Sequence, residues 1–369
     1  MNLNQYMNEG ISQLLKTVGR YHLNNPRGLA FLMKTVPEIK KSAKRRDSKE
    51  KEGLHVPPFL IASVTSQCNL HCAGCYSRAS GACSDETRQT ADMDGQAWRN
   101  IFAQASGLGV SFIILAGGEP LMRRDVILAA TDFPNMVFPV FTNGTLIDEA
   151  YLALFERHRN LIPVFSIEGD EQATDIRRGQ GAYRTVEDVM RHFEKKKMLF
   201  GTSVTVTKEN MEEVTQDSFV EGLRNQGCGV LFYVEYVPMQ QGTEHLMLND
   251  RDVKKMQRIT TNLRERFSDM IVVSFPGDEE ETGGCLASGR GFFHISASGG
   301  AEPCPFAPYS QIDLKKDSLE DALRSGFFME LRKLAARAGH DGGCTLFAHK
   351  DEVVALCDKQ QGVLCERDE

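Results

Sequence analysis

The chain has 369 residues, 41% hydrophobic and 25% charged, with a formal net charge of −7 at pH 7. This is the make-up of a soluble globular protein with room for one large domain and an appendage, or for two domains. The acidic balance argues against a general nucleic-acid binder. No apolar run approaches the ~18 residues needed to span a bilayer. Met1-Asn2-Leu3-Asn4-Gln5 lacks the basic and apolar regions of a secretory signal, so a cytoplasmic protein is expected.

Residues 1–55 read as a helical, basic extension. Ile11, Leu14, Leu15 and Val18 recur at helical spacing, and a second helical segment carries Leu29, Ala30, Leu32, Met33 and Val36. The stretch from Lys40 to Lys51 that follows is strongly basic. It reads as a solvated helix end or, behind apolar helix faces, as a peripheral contact with anionic lipid or an acidic partner.

From Phe59 the chain alternates. Strand-like runs are Phe59–Val64, Phe112–Ala116, Met136–Thr142, Ile162–Ile167, Gly201–Thr207 and Val230–Val237, with helix-like stretches between them. Six such βα units predict a parallel sheet that curls in one sense. No GxGxxG fingerprint follows the first strand, which disfavours a dinucleotide-binding sheet. Glycine-rich and polar motifs sit where the strands end, the rim on which βα barrels collect their function. Further on, Phe292–Ala297, Gly299-Gly300 and Ala301–Cys304 read as a β-hairpin, and Ser318–Ala338 as helical.

Ten cysteines is a high count for a reducing compartment, where clustered cysteines are more often metal ligands than disulfides. Cys68, Cys72 and Cys75 follow the first strand with C-x3-C-x2-C spacing. A single tetrahedral zinc wants a fourth ligand nearby. The next cysteine, Cys83, is eight residues on. Three thiolates on one tight loop suit a [4Fe–4S] cluster with one iron left open. His71 lies inside the loop, but the thiolate set is complete without it. Cys228 reads as a small buried thiol.

The cysteine run, followed in order by Gly117-Gly118-Glu119-Pro120, Thr142-Asn143-Gly144 and Ser166-Ile167-Glu168-Gly169, resembles the radical S-adenosylmethionine (radical SAM) enzymes over residues 56–275. The resemblance implies an open, partial (β/α)6 barrel of the TIM type. It implies that Cys68, Cys72 and Cys75 hold a [4Fe–4S] cluster whose open iron is chelated by S-adenosylmethionine (SAM). In the family, an electron delivered by a reductant such as ferredoxin or flavodoxin breaks the S–C5′ bond. The 5′-deoxyadenosyl radical then takes a hydrogen from the substrate, and the protein supplies orientation and exclusion of water.

By the same resemblance, Gly117 and Gly118 let the backbone approach the methionine end of SAM. The stretch through Pro120 binds the ammonium group, and Glu119 orders the loop. Ser166 and Glu168 suit a ribose or amino-acid end, although the family frequently has Ser-Leu-Asp-Gly there. Asn143 is a further contact, and Arg178 resembles an arginine that meets the cofactor carboxylate. Glu235, near the end of strand six, is a candidate for facing substrate or cofactor. Many members carry an aromatic residue just before the third cysteine; here that residue is Gly74, and Tyr76 follows the cysteine. No residue is assigned to catalysis proper.

Cys285, Gly299 and Cys304 resemble the first half of the auxiliary-cluster domains called SPASM and twitch, which places a small hairpin-and-helix domain at residues 276–369. The dense C-x2-C-x5-C-x3-C run of a full SPASM domain is absent. One auxiliary [4Fe–4S] cluster is therefore expected, on Cys285, Cys304, Cys344 and Cys357, with His349 a weaker candidate. Zinc on the same residues, or merely buried thiols, are the alternatives. The auxiliary cluster would ferry an electron or bind substrate. The substrate class stays open between a peptide, a small molecule and a lipid, with a non-enzymatic metal scaffold as the remote alternative. The first 55 residues read as too short and too helical for a peptide-binding winged helix, which counts against a peptide.

Overall fold

The computed structural model describes residues 26–85, 92–279, 284–337 and 344–359. The expected helix around Ile11–Val18, Gly342-Gly343 and Cys365 lie outside them. Nine strands form one sheet in the order β7-β6-β5-β4-β3-β2-β1-β8-β9. They are β1 (Phe59–Ser63), β2 (Phe112–Ala116), β3 (Phe138–Thr142), β4 (Leu161–Ile167), β5 (Gly201–Val206), β6 (Val230–Glu235), β7 (Ile271–Phe275), β8 (His294–Ile295) and β9 (Ala301–Glu302). All neighbours from β7 to β8 pair in parallel, and β9 closes the hairpin antiparallel to β8.

Six of these strands are the expected ones; β7 is a seventh. Ile271-Val272-Val273 is a short β-branched run that pairs with β6. The C-terminal hairpin is likewise no detached appendage, because β8 adds to the free edge of β1.

Burial alternates along β1, β2 and β7, as in strands with one face on helices and one on a lumen. The sheet curls strongly. Phe141 of β3 and Phe232 of β6, with two strands between them, meet with ring centroids 5.1 Å from each other. Phe292, just before β8, stacks on Phe59 of β1 at 5.2 Å and meets Phe275 of β7 at 5.6 Å. One aromatic ring thus bridges the two ends of a partial barrel.

The helix Pro26–Lys51 crosses the end of the barrel where the strands begin. Ile39 packs with Val137, Ile162 and Leu199, with Phe31, Leu32 and Phe112 at the margin. Its basic stretch is partly committed to docking: Arg45 donates to Ser106 O, and Arg46 to Gly109 O and Ser111 Oγ. Among the described residues no helix is long and apolar enough to cross a membrane.

Candidate active site

The three-cysteine loop leaves the end of β1 and runs into the short helix Tyr76–Ala79. Cys68, Cys72 and Cys75 are free and half-buried. The end of β2 holds the loop from beneath. Gly118 N–H donates to Thr65 O at 2.9 Å, and Glu119 N–H to Gln67 O at 2.8 Å. A side chain has no room here. A Cβ at Gly117, whose φ is +119°, would lie 2.6 Å from Thr65 O, and one at Gly118 would lie 1.9 Å from Gln67 O. The neighbour these glycines admit is the backbone of the cysteine loop.

Glu119 is buried and accepts from Leu121 N–H, Thr142 Oγ1 and Asn143 N–H. Burial raises its pKa, and these donors pull the other way. It ties the end of β2 to the end of β3. Pro120 opens the 3-10 turn that follows. Asn143 donates from Nδ2 to Asn69 Oδ1 at 2.9 Å, so the end of β3 grips the residue next to Cys68.

The end of β4 closes the third side. Asp170 caps the helix Glu171–Arg178, which returns two arginines towards the cysteines. Buried Glu168 receives both, at 2.5 Å each, and also accepts from Thr205 N–H. Arg177 brackets the cysteine loop: its Nε donates to Ala73 O, and its own carbonyl accepts from Ala73 N–H. Burial opposes the Arg177 charge, yet Glu168 holds its pKa above the ordinary value. Arg178 Nη1 stands 3.9 Å from Cys72 Sγ. The sequence pattern points only to Arg178, and nothing in it singles out its neighbour Arg177. Ser166 faces the lumen, in register with Ser203 of β5.

Burial pushes the Cys68 thiol up to about 12, with Cys72, Cys83 and Glu119 in electrostatic reach. Cys83, buried and near Cys75, is pushed up to about 11. Loading a metal centre must therefore displace thiol protons. His71 is exposed and paired with Asp85. Cys228 is a core thiol against Val230 O and Thr202. Glu235 points at the turn after β7, where a Cβ on Gly277 would lie 2.7 Å from its Oε1. Tyr236, only 4% exposed, lays its ring against the loop: a Cβ at Gly74 would lie 2.8 Å from its hydroxyl.

The C-terminal thiols form a second group. Cys285, Cys304 and Cys344 are buried. Burial, then a hydrogen bond with Cys344 and the nearness of Cys285, raise the Cys304 pKa well above the ordinary thiol value. Among the described residues no three His, Cys, Asp or Glu side chains are close enough to hold a single metal ion, so a lone zinc here would require the thiols to move. Cys357 is buried and disulfide-bonded, and would have to be reduced to serve as a fourth ligand. His349 is turned to Glu352. Tyr76 stands between the two groups, in electrostatic reach of both Cys75 and Cys304, with its ring 5.2 Å from that of Phe306. Beside it opens a cavity of about 520 Å3, bordered by Ser63, Tyr76, Ser80, His294, Phe306 and Tyr309.

Three free thiols on one loop, held from three strand ends, are the residue type and number that a three-thiolate cluster needs. Residues 62–217 match the radical SAM superfamily. The chain carries a radical SAM domain over that stretch. It is an enzyme of the radical SAM type, and the family implies a [4Fe–4S] cluster and SAM. The chain is 22% identical over 275 residues to the sporulation killing factor maturation protein SkfB of Bacillus subtilis (strain 168), covering 72% of this chain and 65% of that protein, just under two thirds of its length. It is 27% identical over 317 residues to the AdoMet-dependent heme synthase of Methanosarcina barkeri, covering 78% and 88%. Its fold is similar to that of Streptococcus suis SuiB bound to precursor peptide SuiA, with a TM-score of 0.65 at 16% identity over 86% of this chain and 80% of that one.

Proposed function

We propose that this radical SAM enzyme modifies a peptide, with Cys68, Cys72 and Cys75 holding the radical-generating cluster and an auxiliary [4Fe–4S] cluster on Cys285, Cys304 and Cys344. Cys357 or an outside group completes the second set, and a ferredoxin or flavodoxin supplies electrons. The observation that carries this reading is the cavity beside Tyr76, which is bordered by the elements that carry both thiol groups. Its serine hydroxyls can bond a peptide backbone in either sense, and Tyr76, Phe306 and Tyr309 offer apolar faces to a side chain. The maturation protein SkfB and the peptide-bound SuiB add support by what their names say.

Loaded, the first centre would supply reductive cleavage of SAM and hydrogen abstraction from the substrate. The chain's own part is positioning. Gly117 and Gly118 let the ends of β1 and β2 close on each other. Glu119 and Asn143 fix the Cys68 side of the loop. Glu168, Arg177 and Arg178 fix its Cys72 side, and Ser166, Asn143 and Arg178 are the side chains offered to SAM. The small-molecule reading keeps one observation in its favour, the fuller coverage of the heme synthase.

The test is anaerobic reconstitution, reduction and addition of SAM, with a panel of short peptides as substrates, any encoded beside the gene included. The expected result is 5′-deoxyadenosine together with a mass change in the peptide. No 5′-deoxyadenosine under any reductant sinks the assignment of the first centre. An unchanged peptide alongside consumption of an iron–porphyrin substrate transfers the reading to the small-molecule class.

A further inference from the structure

A polar chain runs along one wall of the cavity, made of residues with no role so far. Ser63 ends β1, His294 opens β8 and Glu302 ends β9. Pairing registers put them on one face. Ile61 lies opposite His294, His294 opposite Glu302, and Ser63 is two residues beyond Ile61. Ser63 Oγ stands 2.7 Å from His294 Nε2, and His294 Nδ1 stands 2.5 Å from Glu302 Oε2. The His294 and Glu302 side chains are only 5% and 6% exposed, and all three residues border the cavity.

The contact geometry gives the order of donors. His294 Nδ1 faces a carboxylate oxygen, an acceptor, which assigns the imidazole proton to Nδ1. Nε2 is then a lone pair, and it accepts from the Ser63 hydroxyl. Ser63 Oγ is left with lone pairs facing the cavity, ready for a donor on whatever binds there. Sheet pairing alone does not ask for this arrangement. The other lumen positions nearby on β1 and β2, Phe59, Ile61, Phe112 and Ile114, are apolar.

We propose that Ser63 and His294, oriented by Glu302, are the proton acceptor of the substrate cavity, and that they act on a hydroxyl or thiol of the bound peptide. The step moves a proton and no electron. The substrate X–H bond breaks with its pair left on X, and that proton goes to Ser63 Oγ. The original Ser63 proton goes to His294 Nε2, and the imidazolium faces the Glu302 carboxylate. Glu302 is a positioning residue. The substrate half of this inference rests on the peptide reading above; the proton arrangement does not.

Two measurements test it. The first uses protein labelled with 15N-histidine, in which one of nine histidine spin systems is His294. Its signal is identified by its loss in His294→Gln or its shift in Glu302→Gln. An Nδ1–H tautomer that survives in Ser63→Ala is expected, and an Nε2–H tautomer overturns the proposal outright. The second is the ratio of modified peptide to 5′-deoxyadenosine in loaded enzyme, which corrects for any variant that loads poorly. His294→Gln and Glu302→Gln should lower that ratio by about a hundredfold, the scale of general acid–base catalysis. An unchanged ratio overturns the role. A wild-type enzyme that modifies no peptide defeats the peptide reading instead, and the tautomer still decides the relay.

Discussion

A methyl group at position 118 would sit 1.9 Å from Gln67 O, inside any contact distance. The obstacle is backbone on both sides, so no side-chain rotation relieves it. Gly118→Ala is expected to cost about 1–3 kcal/mol in overpacking. It should also displace the loop that presents Cys68, so reconstituted protein should lose about four irons. Iron analysis and thermal unfolding check both. The glycine pair was legible in the sequence as a motif, but its neighbour was not, because the packing of β2 against the loop after β1 is a tertiary fact. Gly74 shows the same limit. In sequence it is a missing aromatic; in the fold its φ of +65° and lack of a side chain make room for the Tyr236 ring. The Tyr236 hydroxyl is buried with no hydrogen-bond partner among the described residues, and it points at this loop. Tyr236→Phe should leave the unloaded protein at least as stable by thermal unfolding. It should weaken SAM binding to the loaded enzyme by about three- to tenfold, the worth of one hydrogen bond. Unchanged SAM affinity and an unchanged EPR signal on SAM addition would remove Tyr236 from the site.

At the scale of elements, the helix Pro26–Lys51 is where the sequence reading and the fold part most. Its apolar residues suggested a separate amphipathic segment leading into a basic patch. The face that packs is Gly28, Thr35, Ile39 and Ser42, which is small and largely polar, while Leu29 and Met33 point outwards. A hydropathy pattern cannot find a stripe that packs by smallness, so the helix was legible and its partner was not. Strand β7, Ile271–Phe275, follows the long helix Asp250–Arg266 after only four residues, so its apolar run reads as a continuation of that helical stretch. Ile39 is the wedge between the helix and the barrel. Ile39→Ala should destabilise the protein by about 2–5 kcal/mol, read from denaturant unfolding. Desolvation lowers the pKa of Arg46, but its partners at Gly109 and Ser111 keep it docked rather than free for lipid. If the helix also serves a membrane, Leu29→Ser and Met33→Ser, at its exposed positions, should weaken liposome co-sedimentation and leave stability alone.

For the whole molecule, the question is whether the C-terminal thiols belong to the same chemical unit as the barrel. The backbone argues that they do. Strand β8 continues the sheet from β1, the strand that leads into the first cysteine loop, and Cys304 follows two residues after β9. Tyr76 and Phe306 then join the short helix after Cys75 to the segment after Cys304. The two thiol groups should therefore load independently yet share one fold. Wild type should bind about eight irons, and Cys68/Cys72/Cys75→Ala about four. Cys304/Cys344→Ala should also hold about four, with SAM cleavage to 5′-deoxyadenosine retained and peptide modification lost. The double variant should stay folded by circular dichroism, because β8 is held to β1 by backbone pairing and by Phe293 O accepting from Ile61 N–H, not by sulfur. A wild type with about four irons and one zinc would make the second group structural. One with about four irons and no other metal would make its thiols core residues.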